Sequence, residues 1–156
     1  MDVAVAHCAA LGFDGLELAV SPGWTTDAAG LDAGERRHIR TLYDDHRLEL
    51  CGLSGNTPLL VSDADEHAKN MARLRGYLDL AAELQRPGER LTISTTSGGD
   101  PDDWERVKGM LVDCFSELAL YAQRAGVMIG MEPHIGPRCT ARSRGCGSSS
   151  RSTHPV

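Results

Sequence analysis

The hydrophobic period of this chain switches repeatedly between a helical rhythm and a strand-like one, and that alternation constrains the fold more than any other feature. Val3 to Leu11 is short-sided and apolar, with Gly12 where a helix ends in the left-handed conformation. Phe13 to Val20 (FDGLELAV) then reads as a strand. Ser21 to Leu31 is a loop by its Pro, Gly and Thr content. Asp32 with Glu35 three residues later forms a capping-box signature, and Ile39, Leu42 and Tyr43 supply the apolar face of a helix reaching His46.

Arg47 to Ser54 (RLELCGLS) is the second strand, ending at Gly55 and Asn56. A long helix over Asp63 to Leu84 carries Met71, Leu74, Leu78, Ala81 and Leu84 on one face. Arg90 to Thr95 is the third strand. Asp100 and Pro101 are expected to cap a fourth helix, with Trp104, Val107, Met110, Leu111, Cys114, Phe115, Leu118 and Ala122 as its buried stripe. Gly126 ends that helix, and Val127 to Met131 is the fourth strand.

The order is α-β-α-β-α-β-α-β with roughly 35 to 40 residues between strands, the pattern of a parallel sheet covered by helices. The fold class is therefore α/β. An eightfold barrel takes eight strands and about 250 residues. Four strands in 156 residues correspond to a partial (β/α)8 barrel, with no strand ahead of the first helix.

The fourth strand runs out into Glu132, Pro133 and His134. A strand repeats every two residues, so Glu132 and His134 point to the same side, with Pro133 stiffening the backbone between them. The carboxyl ends of parallel strands are where ligands and ions bind. Glu132 can ligate a divalent cation or carry a proton, or it can simply cap the following loop. His134 can ligate a metal ion or hydrogen-bond a substrate hydroxyl, or be an ordinary surface histidine. Glu17, near the end of the first strand, can reach the same pocket or stand solvated.

Asn56 and Ser54 can hydrogen-bond a polyol, or serve the turn chemistry for which Ser-Gly-Asn is common. Ser97, Gly98 and Gly99 resemble a phosphate- or sugar-accommodating turn ahead of a helix N-terminus, although neither GxGxxG nor a P-loop is present, and a plain turn is the safer reading. Trp24 either walls a pocket or packs on its own scaffold. His7, His38, His46 and His67 fall on helices, away from the strand ends. No HExxH, CxxC or Ser-His-Asp constellation supports zinc-protease, redox or triad chemistry.

Charge divides the chain. Residues 138–156 hold four arginines and no acid, leaving 12 basic against 22 acidic residues elsewhere, a formal −10 within an overall −6. That acidic body argues against a nucleic-acid backbone as partner. No apolar run approaches membrane-spanning length, no signal pattern opens the sequence, and a cytoplasmic location is the expectation. The five scattered cysteines suit free thiols, with Cys8, Cys51 and Cys114 expected as small core residues. After Pro137 the periodicity stops, so residues 1–137 form the folded unit and residues 138–156 read as a disordered basic Ser/Arg/Gly tail. Its abrupt onset suggests a shifted reading frame, which the encoding DNA would test.

Taken together, GFDGLEL, LCGLSGN, STTSGGDPDDW and GVMIGMEPHIG resemble the sugar phosphate isomerase/epimerase family, whose members have the xylose isomerase-like TIM barrel. The resemblance covers residues 1–137 and implies that these strands are the second to fifth of the barrel. It implies a divalent metal ion (Mn²⁺, Mg²⁺, Co²⁺ or Zn²⁺) held by acids and a histidine, with Glu132 as ligand and acid/base and with Glu17 and His134 on the substrate side. The implied reaction is proton transfer between adjacent carbons of a sugar or polyol through an enediolate.

The strands that supply the family's remaining ligands are replaced by the basic tail. Weak metal binding at most, inactivity of this chain alone and self-association through open barrel edges are therefore expected. A non-catalytic fragment or half-barrel is the competing reading. An endonuclease IV-like repair enzyme of the same fold fits less well, because the strand ends lack histidines and the body is acidic.

Overall fold

The computed structural model describes residues 1–100 and 103–132, so Pro101, Pro133, His134 and the tail lie outside the described residues. Eight elements follow in the expected order: α1 (Asp2–Ala10), β1 (Gly15–Ala19), α2 (Ala33–Asp45), β2 (Glu49–Ser54), α3 (Ala64–Leu84), β3 (Thr92–Thr95), α4 (Trp104–Ala125) and β4 (Met128–Met131). The strands form one sheet in the order β1-β2-β3-β4, and every pairing is parallel. The sequential strand order is that of half of a (β/α)8 ring, and the parallel pairing is what the alternation requires.

Local chemistry sets the boundaries. Asp32 caps α2 as expected: its carboxylate accepts from the Gly34 and Glu35 amides at 2.7 and 2.8 Å, while Glu35 accepts from the Asp32 amide at 2.8 Å. Losing this reciprocal cap in Asp32→Ala should lower the unfolding free energy by about 1 kcal/mol, read as a shift in the urea midpoint at constant slope. Asp63 caps α3 through the Glu66 amide at 2.8 Å. The fourth helix departs from expectation. Asp103, not Asp100, precedes it, and Asp103 makes no capping bond but pairs with Arg106 at 2.5 Å. Gly126 closes α4 at φ 76°, the left-handed conformation that only glycine adopts cheaply.

The four helices pack in chain order over one face of the sheet. Leu18, Val20, Leu50, Leu53 and Ile93 share one buried core there with Ile39, Leu74, Leu78, Leu118 and Ala122 of the helices. Within β2 the register with β1 shifts, so that Leu16 faces Leu50 while Glu17 faces Gly52. This bulge at Cys51 reverses the alternation, and it explains how Leu50 and Leu53, three residues apart, are both buried.

The same bulge overturns one expectation. Cys51 is exposed, because it lies on the face opposite the helices; Cys8 is half-buried, and of these three only Cys114 is in the core. Met110 also departs from the buried stripe of α4, at 41% exposure. It flanks a surface cleft of about 720 Å³ beside Leu60 and Arg106.

Ion pairs tie the helices together. Arg36 meets Glu83 at 2.6 Å and Arg40 donates to the Leu84 carbonyl at 3.1 Å, linking α2 to α3. His38 meets Asp2 of α1 at 2.5 Å, and His67 of α3 meets the Leu59 carbonyl at 3.0 Å and Cys114 Sγ at 3.7 Å. These two histidines serve packing, away from the strand ends. Among the described residues no helix is long and apolar enough to cross a membrane.

Candidate functional site

The sheet face opposite the helices carries the polar side chains. Alternation places Glu17 of β1, Cys51 of β2 and Ser94 of β3 on it, while Leu18, Leu53 and Ile93 go the other way into the core. Ser94 Oγ donates to Glu17 Oε1 at 3.2 Å, across the strand between them. That reach depends on Gly52, which pairs with Glu17: a Cβ there would lie 3.8 Å from Glu17 Oε1 and only 2.8 Å from the Thr92 carbonyl oxygen. Glycine at this position lets the two strands and the carboxylate share the space. Neighbouring carboxylates leave their mark on Cys51, whose thiol is pushed up first by burial and then by Glu49 and Glu17.

Glu132 stands at the carboxyl end of β4, as the sequence placed it. Its amide donates to the Thr95 carbonyl at 2.8 Å, extending the β3–β4 ladder one step past Met131. Ser94 pairs with Gly130, so two further residues along, the pleat sets Glu132 on the face that bears Ser94 and Glu17. Glu132 is exposed.

Glu17 is the third of the five residues of β1 rather than at its end, and it lies deeper in the sheet than Glu132. The two acids also occupy opposite outer strands. Three strand spacings of about 4.8 Å separate them by roughly 14 Å across a flat sheet, less where it curves. The structure thus gathers Glu17 with Ser94 and puts Glu132 on the same face without bringing it to them.

Asn56 is exposed just past β2, its Nδ2 donating to Ser54 Oγ at 3.5 Å. His134 lies outside the described residues. The Ser97-Gly98-Gly99 segment is a structural turn: the Ser97 carbonyl accepts from the Leu59 and Leu60 amides at 3.1 and 2.8 Å, tying the loop after β3 to the loop after β2. Gly98 and Gly99 adopt φ 66° and 78° to make it. Thr95 Oγ1 reinforces the tie by donating to the Thr57 carbonyl at 2.7 Å. Trp24 is 62% exposed in its loop.

Ser94 is the residue that sequence reasoning missed. The signal was present: in TIST, the period of two that buries Ile93 and Thr95 turns Ser94 to the side of Glu17. A cleft of about 540 Å³, lined by Asp27, Arg36, Arg73 and Tyr77, sits between the β1–α2 loop and α3, on the helical side and away from this face.

Oxygen donors suit a hard divalent cation, which takes about six of them. Among the described residues, however, no three His, Cys, Asp or Glu side chains are placed to hold one. The described residues therefore do not fit such an ion by themselves.

The chain matches the family model described as xylose isomerase-like TIM barrel over residues 5–148. Among solved structures it is similar to 3-keto-D-glucoside 4-epimerase from E. coli, at 16% identity and a TM-score of 0.65, with 86% of this chain and 51% of that one covered. It is also similar to a xylose isomerase-like TIM barrel protein from Mycobacterium smegmatis in complex with magnesium, at 19% identity and TM-score 0.61, covering 86% and 46%. A D-tagatose 3-epimerase-like protein gives 16% identity and TM-score 0.56, covering 82% and 47%. At these identities the likeness is one of fold, and the chain spans about half the length of these three structures. No curated protein matches it.

Proposed function

The chain belongs to the xylose isomerase-like TIM barrel family, and from that premise we propose that its open sheet face is the sugar- or polyol-binding wall of an isomerase or epimerase. The observation that carries this reading is the Glu17–Ser94 pair on the inner face of the half-ring, with Glu132 beyond it at the end of β4. A solved 3-keto-D-glucoside 4-epimerase and a D-tagatose 3-epimerase-like protein with this fold support the substrate class.

Each residue has a task in the reaction. A carboxylate takes the proton from the carbon beside a carbonyl, the C–H electron pair moves to form the enediolate, and the proton returns to the neighbouring carbon or to the opposite face. Glu132, at the mouth, is the proton carrier. Ser94 restricts the Glu17 carboxylate to one orientation, so that it can accept hydrogen bonds from substrate hydroxyls. The Asn56 amide adds a donor and an acceptor at the same rim.

The test is solvent-deuterium incorporation into a panel of ketoses and their epimers, followed by NMR with magnesium added and with chelator. Exchange should appear at the carbon beside the carbonyl and fall by about 100-fold or more in Glu132→Gln, with the circular dichroism spectrum unchanged. A folded wild-type chain that incorporates no deuterium on any of these sugars would instead establish the second reading, a non-catalytic half-barrel. That reading is favoured by the lack of a three-ligand metal group among the described residues.

A further inference from the structure

The contact between α3 and α4 gathers soft donor atoms on the helical side of the sheet, away from Glu17 and Glu132. Arg75 of α3 pairs with Glu117 of α4, and Asp79 accepts from Tyr121 Oη at 2.8 Å, each pair 42 residues apart in the chain. A constant offset means that the two helices run parallel and in step. The same offset sets Met110 level with Ala68, the residue after His67. Met110, Cys114, Glu117 and Tyr121 also recur at the four-three-four spacing of one helix face, and the last three all reach α3. Met110 is thus the next residue of that stripe, one turn before Cys114 and beside His67.

His67 is already oriented as a ligand. Its Nδ1 donates to the Leu59 carbonyl at 3.0 Å, so the ring proton sits there and the Nε2 lone pair faces Cys114 Sγ at 3.7 Å. A carbonyl behind a histidine in this way fixes the tautomer that binds metal. Metal–sulfur and metal–nitrogen bonds of about 2.3 and 2.0 Å that meet at a trigonal angle of about 120° span about 3.7 Å from sulfur to nitrogen. The two atoms therefore already stand at the bite of a single ion.

We propose that His67, Met110 and Cys114 form a binding site for Cu(I). Thiolate and thioether sulfurs select this soft cation, whereas hard divalent ions prefer carboxylate oxygens. The thioether sets this group apart from the His, Cys, Asp and Glu sets, of which no three converge among the described residues. The ion also has a way in. Met110 is 41% exposed on the wall of the cleft of about 720 Å³, with Leu60 and Glu66, the chain neighbours of Leu59 and His67, on the same wall. Cys114, 8% exposed, lies one turn further in.

On binding, the Cys114 S–H bond breaks, its proton passes to solvent and a sulfur–copper bond replaces it. The metal enters and stays as Cu(I), so no electron is transferred. Ligands from both helices make the ion a clip between α3 and α4, and an ion that binds only the folded chain raises its stability. The site lies apart from the sheet face, so this inference and the isomerase reading can each fail alone.

The test is an anaerobic titration of the full chain with Cu(I), in competition with the chromophoric chelator bicinchoninate. Cys8, Cys51, Cys139 and Cys146 are replaced by serine, which leaves Cys114 as the remaining thiol. One equivalent should leave the chelator, the thermal midpoint should rise, and X-ray absorption should show Cu(I) bound by two sulfurs and one nitrogen. Met110→Leu conserves volume at an exposed position and so keeps the fold. It should weaken binding by about tenfold or more and leave one sulfur on the metal. His67→Gln should remove the nitrogen, and Cys114→Ser should abolish uptake. The same loss of one equivalent is expected when Cys114→Ser is made in the wild-type chain. A chain that withdraws no copper from the chelator, a Met110→Leu variant that binds as tightly as its parent, or a Cys114→Ser variant that still takes up the ion would each overturn the proposal.

Discussion

Leu53→Ala should lower the unfolding free energy by about 2–5 kcal/mol, a large part of what holds a domain of this size together. Leu53 is fully buried on β2, paired to Leu18 on one side and Ile93 on the other. Truncation loses the transfer energy of the isobutyl group and leaves a cavity in the middle of the sheet's packed face, where strands on both sides resist collapse into it. Chemical denaturation gives the number directly, as a fall in midpoint with the slope unchanged. The effect should exceed that of an equivalent truncation at Leu120, which is 56% exposed. If Leu53→Ala costs less than about 1 kcal/mol, the bulge at Cys51 does not turn this residue inward.

The second large effect is expected from the addition of a single methyl group. Gly55 follows β2, and a Cβ there would lie 2.7 Å from Cε2 of Tyr77, a ring that is 2% exposed beneath the turn leading to Asn56. Tyr77 cannot retreat easily, because Leu74, Leu78 and Ala81 around it on α3 are fully buried. Gly55→Ala should therefore destabilise by about 1–3 kcal/mol through overpacking, and displace the Asn56 turn with it. Gly76→Ala is the matched control. Gly76 lies inside α3, where an added methyl group would meet nothing within 4 Å, so the same substitution there should stabilise by about 0.5–1 kcal/mol through helix propensity. Opposite signs from one chemical change, read by thermal or urea unfolding, separate packing from propensity. Like signs would refute the close contact with Tyr77.

The site was legible in the sequence to different depths. Glu132 was placed because a strand of apolar residues ending in an acid is a local pattern, and its ladder bond to Thr95 keeps it in register. Ser94 escaped because its importance comes from a contact 77 residues away in the chain, with Glu17. Cys51 was misplaced for a related reason. A bulge depends on how two strands meet, and neither RLELCGLS nor FDGLELAV announces it. The turn at Ser97 to Gly99 is the plain turn that its local sequence favoured, but only the fold shows that its carbonyl holds two loops together.

The order of elements, the α/β class, the cap at Asp32 and the glycine that ends α4 followed from sequence alone, because each depends on residues within a turn or two of one another. The bulge that turns Leu53 in and Cys51 out, and the pairing of Glu17 with Ser94, were decided only in three dimensions. They arise where strands distant in sequence lie side by side, and there the packing of neighbours, not local propensity, chooses which face a side chain takes.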